Sequence, residues 1–246
     1  MKGQAITFDF HNTLAHCDPW FDLEVHHLPS AFLRWLADNG GPARSAETMA
    51  DADAAYRRLR QAIVDHGNEL PAEACVAYVL DDLGIAVDDA TVEQGVATLM
   101  RATLADAEPT AGAVETVRVL ADTGVPLGIV SSAVYHPFLH WTLERFGIRD
   151  AFRDVVTSAS AGFYKSRPEL YLHALARLDA LPQRSVHVGD SWRFDVDGAR
   201  RAGLRTVWLR RAGVDLPAGG APPDLAVSTL TGAAPRILSL LAEAGA

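Results

Sequence analysis

The sequence of 246 residues contains very little lysine and almost no cysteine. Lysine and arginine together number 22, and all of them except Lys2 and Lys165 are arginines. The two cysteines, Cys17 and Cys75, lie far apart and form no Cys-x-x-Cys pair. Neither a disulfide framework nor a cysteine-based zinc site is therefore indicated. Because the chain otherwise uses arginine, the position of Lys165 becomes informative.

Long hydrophobic runs and an excess of positive charge are also missing. No apolar run reaches the ~18 residues that a membrane-spanning helix needs. The formal net charge is −9, whereas surfaces that bind nucleic acids or membranes carry basic stripes. Residues 1–3 run directly into the first predicted strand, with no signal peptide. We therefore expect a cytoplasmic protein with neither a nucleic-acid partner nor a membrane partner.

The most informative stretch is residues 6–14, Ile-Thr-Phe-Asp-Phe-His-Asn-Thr-Leu. Ile6, Phe8 and Phe10 are typical of a buried strand. Asp9 falls where this strand should end, and a carboxylate is costly to bury unless its charge is compensated. At the carboxyl edge of a parallel sheet, a bound ligand or metal commonly supplies that compensation. The alternative is an aspartate that only caps the following turn.

The region 15–109 has a helical pattern and no clear strand. Proline, serine and glycine residues mark the starts and stops of its helices. These helices are predicted at 30–37, 46–65, 72–83 and 90–106. The sequence thus predicts a helical insert, residues 15–109, that directly follows the first strand.

From residue 110 onward, strands and helices alternate. Short apolar strands are predicted at 126–130, 154–157, 185–188, 206–209 and 225–227. Helices are predicted around them, at 114–122, 138–146, 168–178, 195–202 and 233–244. Such alternation is typical of a doubly wound parallel sheet, to which the N-terminal strand also belongs. The predicted fold class is α/β, with a discontinuous Rossmann-like core, 1–14 and 110–246, and the helical insert as a second domain.

Polar or charged residues stand at or just after several of these strands. They are Asp9, Ser131, Ser132, Lys165 and Asp190. We expect them to converge, because the carboxyl ends of parallel strands share one edge of the sheet. Ser131 and the backbone N–H groups of its strand-to-helix turn suit the oxygens of a phosphate group.

Several carboxylates in one place need a cation. Asp190 and the nearby Asp195 would join Asp9 in one pocket, where like charges require a bound cation or a shared proton. Oxygen ligands alone suit Mg²⁺, which favours octahedral sites with several waters and a substrate phosphate. The sequence therefore predicts a magnesium site, with Lys165 as a compact positive charge beside it.

The order and spacing of these segments resemble the haloacid dehalogenase-like hydrolase superfamily over the whole chain. Residues 9–14, Asp-Phe-His-Asn-Thr-Leu, are similar to the first motif of that family, and Val130-Ser131-Ser132 to the second. Lys165 before Pro168 resembles the third motif, and residues 189–195, Gly-Asp-Ser-Trp-Arg-Phe-Asp, resemble the fourth. The position of the insert is similar to that of the family's helical cap of the first type, and the motifs are similar to those of the phosphatase-like branch.

The resemblance implies a role for each matching residue. Asp9 would be the nucleophile that forms a covalent aspartyl-phosphate. Lys165 would neutralise the negative charge of Asp9 and of the phosphoryl group. The phosphate of the substrate would be bound by Ser131, Ser132 and Asn12. Mg²⁺ would be held by Asp9, the backbone carbonyl of His11, Asp190 and Asp195.

One position departs from the family pattern. Phosphatases of this family carry an aspartate two residues after the nucleophile, which protonates the leaving group and later activates water; here that residue is His11. A histidine, with a reference pKa of ~6.5, suits acid–base work, although a bound cation nearby disfavours its protonated form. Three alternatives remain open. His11 is the working general acid and base, or it tunes the site for another substrate or a slower turnover, or it marks the loss of hydrolysis.

These features predict a Mg²⁺-dependent hydrolase of small phosphate monoesters, with the helical insert closing over the site. Two other functions stay open. The first is a haloacid dehalogenase-type hydrolase in which Asp9 attacks carbon, a branch that would carry a tyrosine at position 11. The second is a non-hydrolysing binding or regulatory protein. The expected partner is a small phosphorylated molecule, and the chain is expected to be a monomer or a homodimer.

Overall fold

The computed structural model describes residues 3–244, so Met1, Lys2 and the last two residues of the predicted core lie outside it. In chain order the strands are β1 (Gly3–Phe8), β2 (Ala15–His16), β3 (Glu108–Pro109), β4 (Leu127–Ser131), β5 (Asp154–Thr157), β6 (Ala180–Gly189), β7 (Arg205–Leu209) and β8 (Leu225–Val227). Six of them form a parallel sheet in the order β5-β4-β1-β6-β7-β8, and β2 pairs with β3.

Helices cover the sheet and build the insert. They are α1 (Asp18–Asp22), α2 (Leu28–Asp38), α3 (Ala46–His66), α4 (Ala72–Asp82), α5 (Asp89–Ala102), α6 (Ala113–Ala121), α7 (His136–Arg145), α8 (Ser158–Ala161), α9 (Glu169–Arg177), α10 (Ala199–Arg201) and α11 (Ala234–Ala244). The predicted α/β fold with a Rossmann-like parallel sheet is confirmed. Among residues 3–244, no helix combines the length and the apolar character needed to cross a membrane.

Strand β1 lies in the middle of the sheet because its residues are apolar enough to be buried on both faces. Ile6 pairs with Leu127 of β4 on one side and with Val186 of β6 on the other, and both Ile6 and Phe8 are fully buried. The chain reverses its order here, since β4 and β5 lie on one side and β6 to β8 on the other. Ligands of such sheets bind beyond the strand ends at the reversal, which places the candidate site at the end of β1.

The five strands predicted after residue 110 are present, although β6 begins earlier than expected, at Ala180. The prediction of a continuous helix over 195–202 is wrong, because most of this segment is not α-helical. Residues Trp192–Gly198 form a π-helical turn, and only the short α10 follows it. The N–H of Val196 donates to the carbonyl of Ser191 at 3.3 Å, a five-residue spacing that widens the turn. Such wide turns are frequent at functional sites.

The helical insert contains the four predicted helices, as α2 to α5, together with α1 and a π-helical segment, Leu23–His27. Helix α1 and this π-helical segment have five residues each, which is too few for a helical period to appear in the sequence. The expectation that the insert has no strand is wrong, because Ala15 pairs with Pro109, and His16 with Glu108. Each of these strands has two residues, too few for alternation.

Aromatic rings join the insert to the sheet and its helices. Trp20 of α1 stacks on Phe138 of α7 with ring centroids 4.7 Å apart. Phe10, just beyond β1, meets the Trp20 ring edge-on at 5.8 Å. Each such pair adds roughly 0.5–1.5 kcal/mol to the free energy of burial. The start of the insert is therefore fixed close to the end of β1.

A close backbone approach fixes the point where the chain returns from the insert. Gly112, at the start of α6, has a φ of 78°, and a Cβ atom there would lie 2.1 Å from the backbone nitrogen of Thr231. Gly124 has a similar φ of 76°. No atom lies within 4 Å of the place where its Cβ would be.

We expect Gly112→Ala to lower the free energy of unfolding much more than Gly124→Ala. The control adds only the strain of a left-handed alanine, about 1–2 kcal/mol. The Gly112 variant adds that strain and also a clash with backbone atoms, which cannot move without displacing their neighbours. Urea unfolding of both variants and the wild type measures the difference. Equal losses in the two variants would contradict the close approach at Gly112.

Candidate active site

A buried lysine lies between two carboxylates at the end of β1. The Nζ atom of Lys165 donates to Asp9 Oδ1 at 2.5 Å and to Asp195 Oδ1 at 2.7 Å. Only 2% of Lys165 is exposed. Burial alone would lower the pKa of this ammonium group, but Asp195 and Asp9 raise it well above its ordinary value. Lys165 is therefore a fixed positive charge in the site.

Asp9 leaves β1 with both of its carboxylate oxygens engaged. While Lys165 holds Oδ1, the hydroxyl of Thr13 donates to Oδ2 at 3.0 Å. Thr13 reaches back to this carboxylate because residues 10–14 fold into a tight turn. The N–H of Asp9 also donates to the carbonyl of Val188 in β6 at 2.8 Å. The pairing between β1 and β6 thus continues up to the carboxylate and fixes its direction.

Asp195 holds the lysine from the other side. Its Oδ1 also accepts from Nε2 of His187 at 3.2 Å, and its Oδ2 accepts from the N–H of Ser191 at 2.8 Å. Burial alone would raise the pKa of Asp195, but Lys165 and His187 keep it well below its usual range. Gly189 permits this arrangement, because a Cβ there would lie 2.2 Å from Cγ of Asp195.

Asp190 completes the acidic cluster. Its carbonyl accepts from the indole nitrogen of Trp208 at 2.8 Å, which fixes the main chain after β6. One of its carboxylate oxygens lies 3.2 Å from Nη2 of Arg211. One oxygen each from Asp9, Asp190 and Asp195 lie within 4.8 Å of one another. The structure thus brings together the carboxylates that the sequence places at separate strand ends.

The protein compensates this negative charge only in part. Burial raises the pKa of Asp9 to about 6, with Lys165 opposing the rise and Asp195 adding to it. Burial, together with Asp9 and Asp195, raises the pKa of Asp190 to about 7. A cation among these oxygens would relieve the repulsion. Hard oxygen donors without nitrogen or sulfur suit Mg²⁺ better than softer metals, so the residues present fit that ion.

His11 lies against aromatic rings in the wall of the site. Its ring stacks on Phe21 at a centroid distance of 4.5 Å and lies 5.6 Å from the ring of Trp20. Burial, with a contribution from His16, lowers the pKa of His11 to about 4. Its buried Nε2 has no hydrogen-bond partner among residues 3–244. The neutral imidazole can accept a proton, whereas the imidazolium form that a general acid needs is disfavoured.

The three residues predicted to bind phosphate lie around the same cavity. Ser131 ends β4 and is 4% exposed, and Ser132 follows it. Asn12 has a φ of 60°, a left-handed conformation that asparagine tolerates. Its N–H donates to the carbonyl of Ala15 at 2.7 Å, and its Oδ1 accepts from Nδ1 of His16 at 3.0 Å. The side-chain NH₂ group of Asn12 is the donor that remains for a ligand.

These groups line a cavity of about 520 Å³, and the insert supplies the opposite wall. The sequence alone assigns no role in the site to the insert residues there. They include Trp20, Phe21, Glu24, Arg57, Arg60 and Gln61. One signal for them exists in α3, where Arg57, Gln61 and Val64 recur at the spacing of a single helical face. For Glu24 the sequence shows only an acidic residue among apolar neighbours.

We expect Lys165→Met to lower the free energy of unfolding by roughly 3–5 kcal/mol, because buried carboxylates then lose their partner. The matched control is Arg177→Met, which removes an exposed cation paired with Asp154. Water screens that pair, so its loss should cost less than about 1 kcal/mol. Urea unfolding with a chelator present keeps divalent cations from replacing the ammonium group. A loss for Lys165→Met as small as the control's would show that the buried ion pairs do not hold the site.

Sequence comparisons identify related proteins over most of the chain. Residues 4–203 match the family model of haloacid dehalogenase-like hydrolases. A glyceraldehyde 3-phosphate phosphatase of Methanopyrus kandleri is 30% identical over 166 residues, which are 67% of this chain and 70% of that relative.

Solved structures share the fold at lower identity. A HAD phosphatase from Thermococcus onnurineus superposes with a TM-score of 0.63 at 22% identity, covering 96% of this chain and 97% of the other. A 2-haloacid dehalogenase from Pseudomonas syringae pv. Tomato DC3000 superposes with a TM-score of 0.68 at 23% identity, covering 98% and 99%. The fold alone therefore does not choose between the two chemistries. With the family model matched over residues 4–203, the chain belongs to the haloacid dehalogenase-like hydrolases.

Proposed function

We propose that this chain is a Mg²⁺-dependent phosphatase of small phosphate monoesters that works through an aspartyl-phosphate on Asp9. The observation that carries the proposal is the convergence of Asp9, Asp190 and Asp195 around Lys165 in the wall of a cavity. This arrangement places a fixed ammonium group where a phosphoryl group would transfer and offers hard oxygen ligands for a cation beside it. The phosphatase name of the 30% identical relative supports the same chemistry.

The chemistry begins with the carboxylate of Asp9. With a pKa of about 6, Asp9 is ionised at pH 7. One of its oxygens attacks phosphorus, the P–O bond to the leaving alcohol breaks, and the alkoxide takes a proton from a water molecule in the cavity. Water then attacks the same phosphorus, the bond between phosphorus and the Asp9 oxygen breaks, and inorganic phosphate leaves. Lys165 balances the charge of the carboxylate and of the phosphoryl oxygens during both steps.

The sequence suggests four metal ligands, which are Asp9, Asp190, Asp195 and the backbone carbonyl of His11. When bound there, Mg²⁺ supplies Lewis-acid stabilisation of the phosphoryl oxygens. Asp195 already accepts three hydrogen bonds, from Lys165, His187 and the N–H of Ser191. We therefore assign to Asp195 mainly the positioning of Lys165, and to Asp9 and Asp190 the direct contact with the ion.

Hydrogen-bond donors for the phosphate oxygens lie at the end of β4 and in the turn after β1. Ser131 and Ser132 provide hydroxyl groups at the end of β4, and Asn12 provides its side-chain NH₂ group. The helical insert, residues 15–109, acts as the cap that closes over these groups and keeps bulk water from the aspartyl-phosphate. The substrate is a small phosphorylated molecule, because the cavity holds about 520 Å³.

His11 occupies the position of the usual general acid and base. It is better suited to act as a base than as an acid. A neutral imidazole with a pKa of about 4 accepts a proton from the attacking water more readily than it protonates a leaving alkoxide. Release of the alcohol is therefore the slower half of the reaction. Of the three alternatives that the sequence leaves open, this assignment is the one in which His11 gives a slower turnover.

We expect phosphate release from a panel of small monoesters to require Mg²⁺ and to be abolished in Asp9→Asn, because the amide cannot attack phosphorus. Colorimetric phosphate assays with Mg²⁺ and with chelator measure this. Asp197→Asn, an exposed aspartate in the neighbouring turn, is the matched control and should keep full activity. Halide release from 2-haloacids that persists in chelator would replace the phosphatase by the dehalogenase alternative. Magnesium binding without turnover of any substrate would favour a binding protein.

We expect His11→Asp to raise kcat by about tenfold or more, because a positioned acid commonly contributes 10²–10⁴ in rate. The gain should be largest for esters with poor leaving groups and small for p-nitrophenyl phosphate, whose leaving group needs little protonation. His173→Asp on the exposed face of α9 is the control for the substitution itself. A fall in kcat for every ester would instead identify His11 as an efficient general acid.

A further inference from the structure

We propose that Glu24 of the helical insert determines specificity by binding a hydroxyl group of the leaving alcohol. The preferred substrate is then the phosphate monoester of a polyol, an alcohol that keeps at least one free hydroxyl beside the ester. This inference rests on the proposed phosphatase function and adds to it the chemical class of the leaving group. It concerns the wall of the cavity that faces the phosphoryl site.

Glu24 is a buried carboxyl group with one free oxygen. It is 4% exposed and lines the same cavity as Asp9. Its buried Oε2 has no hydrogen-bond partner among the described residues. The hydroxyl of Tyr56 donates to the Glu24 carbonyl at 2.5 Å and so fixes the π-helical segment that carries it. The main-chain position of Glu24 is thus fixed, and a buried carboxyl oxygen is left for a ligand.

Glu69, another buried carboxyl group of the insert, has hydrogen-bond partners for both of its oxygens. Glu69 accepts two bonds from Arg60, at 2.5 and 3.2 Å. It also accepts from the N–H of Leu70 at 3.0 Å and from the hydroxyl of Ser158 at 2.8 Å. Glu69, which holds the insert together, is therefore saturated with partners. Leaving a buried oxygen of Glu24 unpaired costs stability, and a ligand that binds this oxygen removes the cost.

The chemistry of this wall selects a hydroxyl group. Burial raises the pKa of Glu24 to about 8, although Arg60 opposes the rise, so the carboxyl is protonated at pH 7 and can both donate and accept. Trp20 lines the same cavity, and its buried indole N–H also lacks a partner among residues 3–244. The indole N–H of Trp20 needs an acceptor. A hydroxyl group can accept from Trp20 or bind the carboxyl group of Glu24, because it is both a donor and an acceptor.

A charged leaving group fits this wall less well. A positively charged ammonium group would lie beside a protonated Glu24, which carries no charge to compensate it. The charge of Arg60 is matched by Glu69 and is not available to a carboxylate without breaking that pair. A neutral, hydroxylated alcohol avoids both problems.

The test compares two esters that differ only in hydroxyl groups, glycerol 1-phosphate and n-propyl phosphate. In the wild type with Mg²⁺, kcat/KM should be at least about tenfold higher for glycerol 1-phosphate, because a site built to bind a hydroxyl rejects the analogue that lacks it. In Glu24→Met this ratio should fall towards 1, because the variant lacks the group that distinguishes the two esters. Glu24→Gln, which keeps a donor and an acceptor, should retain most of the ratio. Glu93→Met on the exposed face of α5 should leave it unchanged.

The outcomes separate this inference from the proposed function. Equal rates for both esters in the wild type, an unchanged ratio in Glu24→Met, or a preference for ethanolamine phosphate would overturn the role of Glu24 while leaving the phosphatase intact. No release from either ester would reject the phosphatase and the inference together.

Thermal unfolding gives a readout that a purely structural role of Glu24 would not produce. Because the pKa of Glu24 is raised from its ordinary value to about 8, its folded form loses stability as the pH rises between these values. Glutamine does not ionise, so Glu24→Gln removes this loss of stability at high pH. The charged neighbours Arg60 and Glu69 are unchanged in the variant. The Tm of Glu24→Gln should therefore equal the wild-type Tm near pH 5 and exceed it near pH 8. A lower Tm of the variant at both pH values would mark Glu24 as a structural residue and overturn the proposal.

Discussion

The site depends on one buried ammonium group held between two carboxylates. Lys165 joins Asp9 at the end of β1 to Asp195 in the π-helical turn after β6, so three distant parts of the sequence meet at a single nitrogen atom. Without it, the buried carboxylates would repel one another. A chain that otherwise uses arginine keeps lysine here because a compact charge, unlike a planar guanidinium group, fits between two close oxygens.

A hydrogen-bonded chain beneath the site supports this contact. The hydroxyl of Thr7 lies 2.8 Å from Nδ1 of His187, and Nε2 of the same ring lies 3.2 Å from Asp195. Since Asp195 can only accept, we assign the ring proton to Nε2 and the accepting role to Nδ1. The strand that carries Asp9 thus also orients, through His187 of β6, the carboxylate that holds Lys165. The register of β1 on β6 thereby sets the geometry of the nucleophile and of its cation together.

Residues on strand ends could be predicted from the sequence, whereas those on the opposite wall could not. Asp9, Ser131 and Asp190 follow apolar strands, and the shared edge of a parallel sheet is enough to bring them together. Glu24 and Trp20 lie on segments of five residues, too short for a hydrophobic period to appear. Their placement depends on how the insert packs against the aromatic rings at the start of α7, which is tertiary information. Local sequence patterns are therefore enough to predict the fold, whereas the shape of the cavity depends on tertiary packing.

Burial separates the paired ions around Lys165 from two uncharged side chains of the same cavity, His11 and Glu24. Around Lys165 the ions are paired with one another, and Asp190 adds a carboxylate suited to a cation. On the other wall, burial lowers the pKa of His11 to about 4 and raises that of Glu24 to about 8, so both side chains are neutral at pH 7. The same desolvation acts in opposite directions on an acid and a base, and it removes charge from both. A phosphate monoester has a similar polarity, with its charge on the phosphoryl group, which Lys165 would balance, and none on a neutral alcohol, which would lie against Glu24.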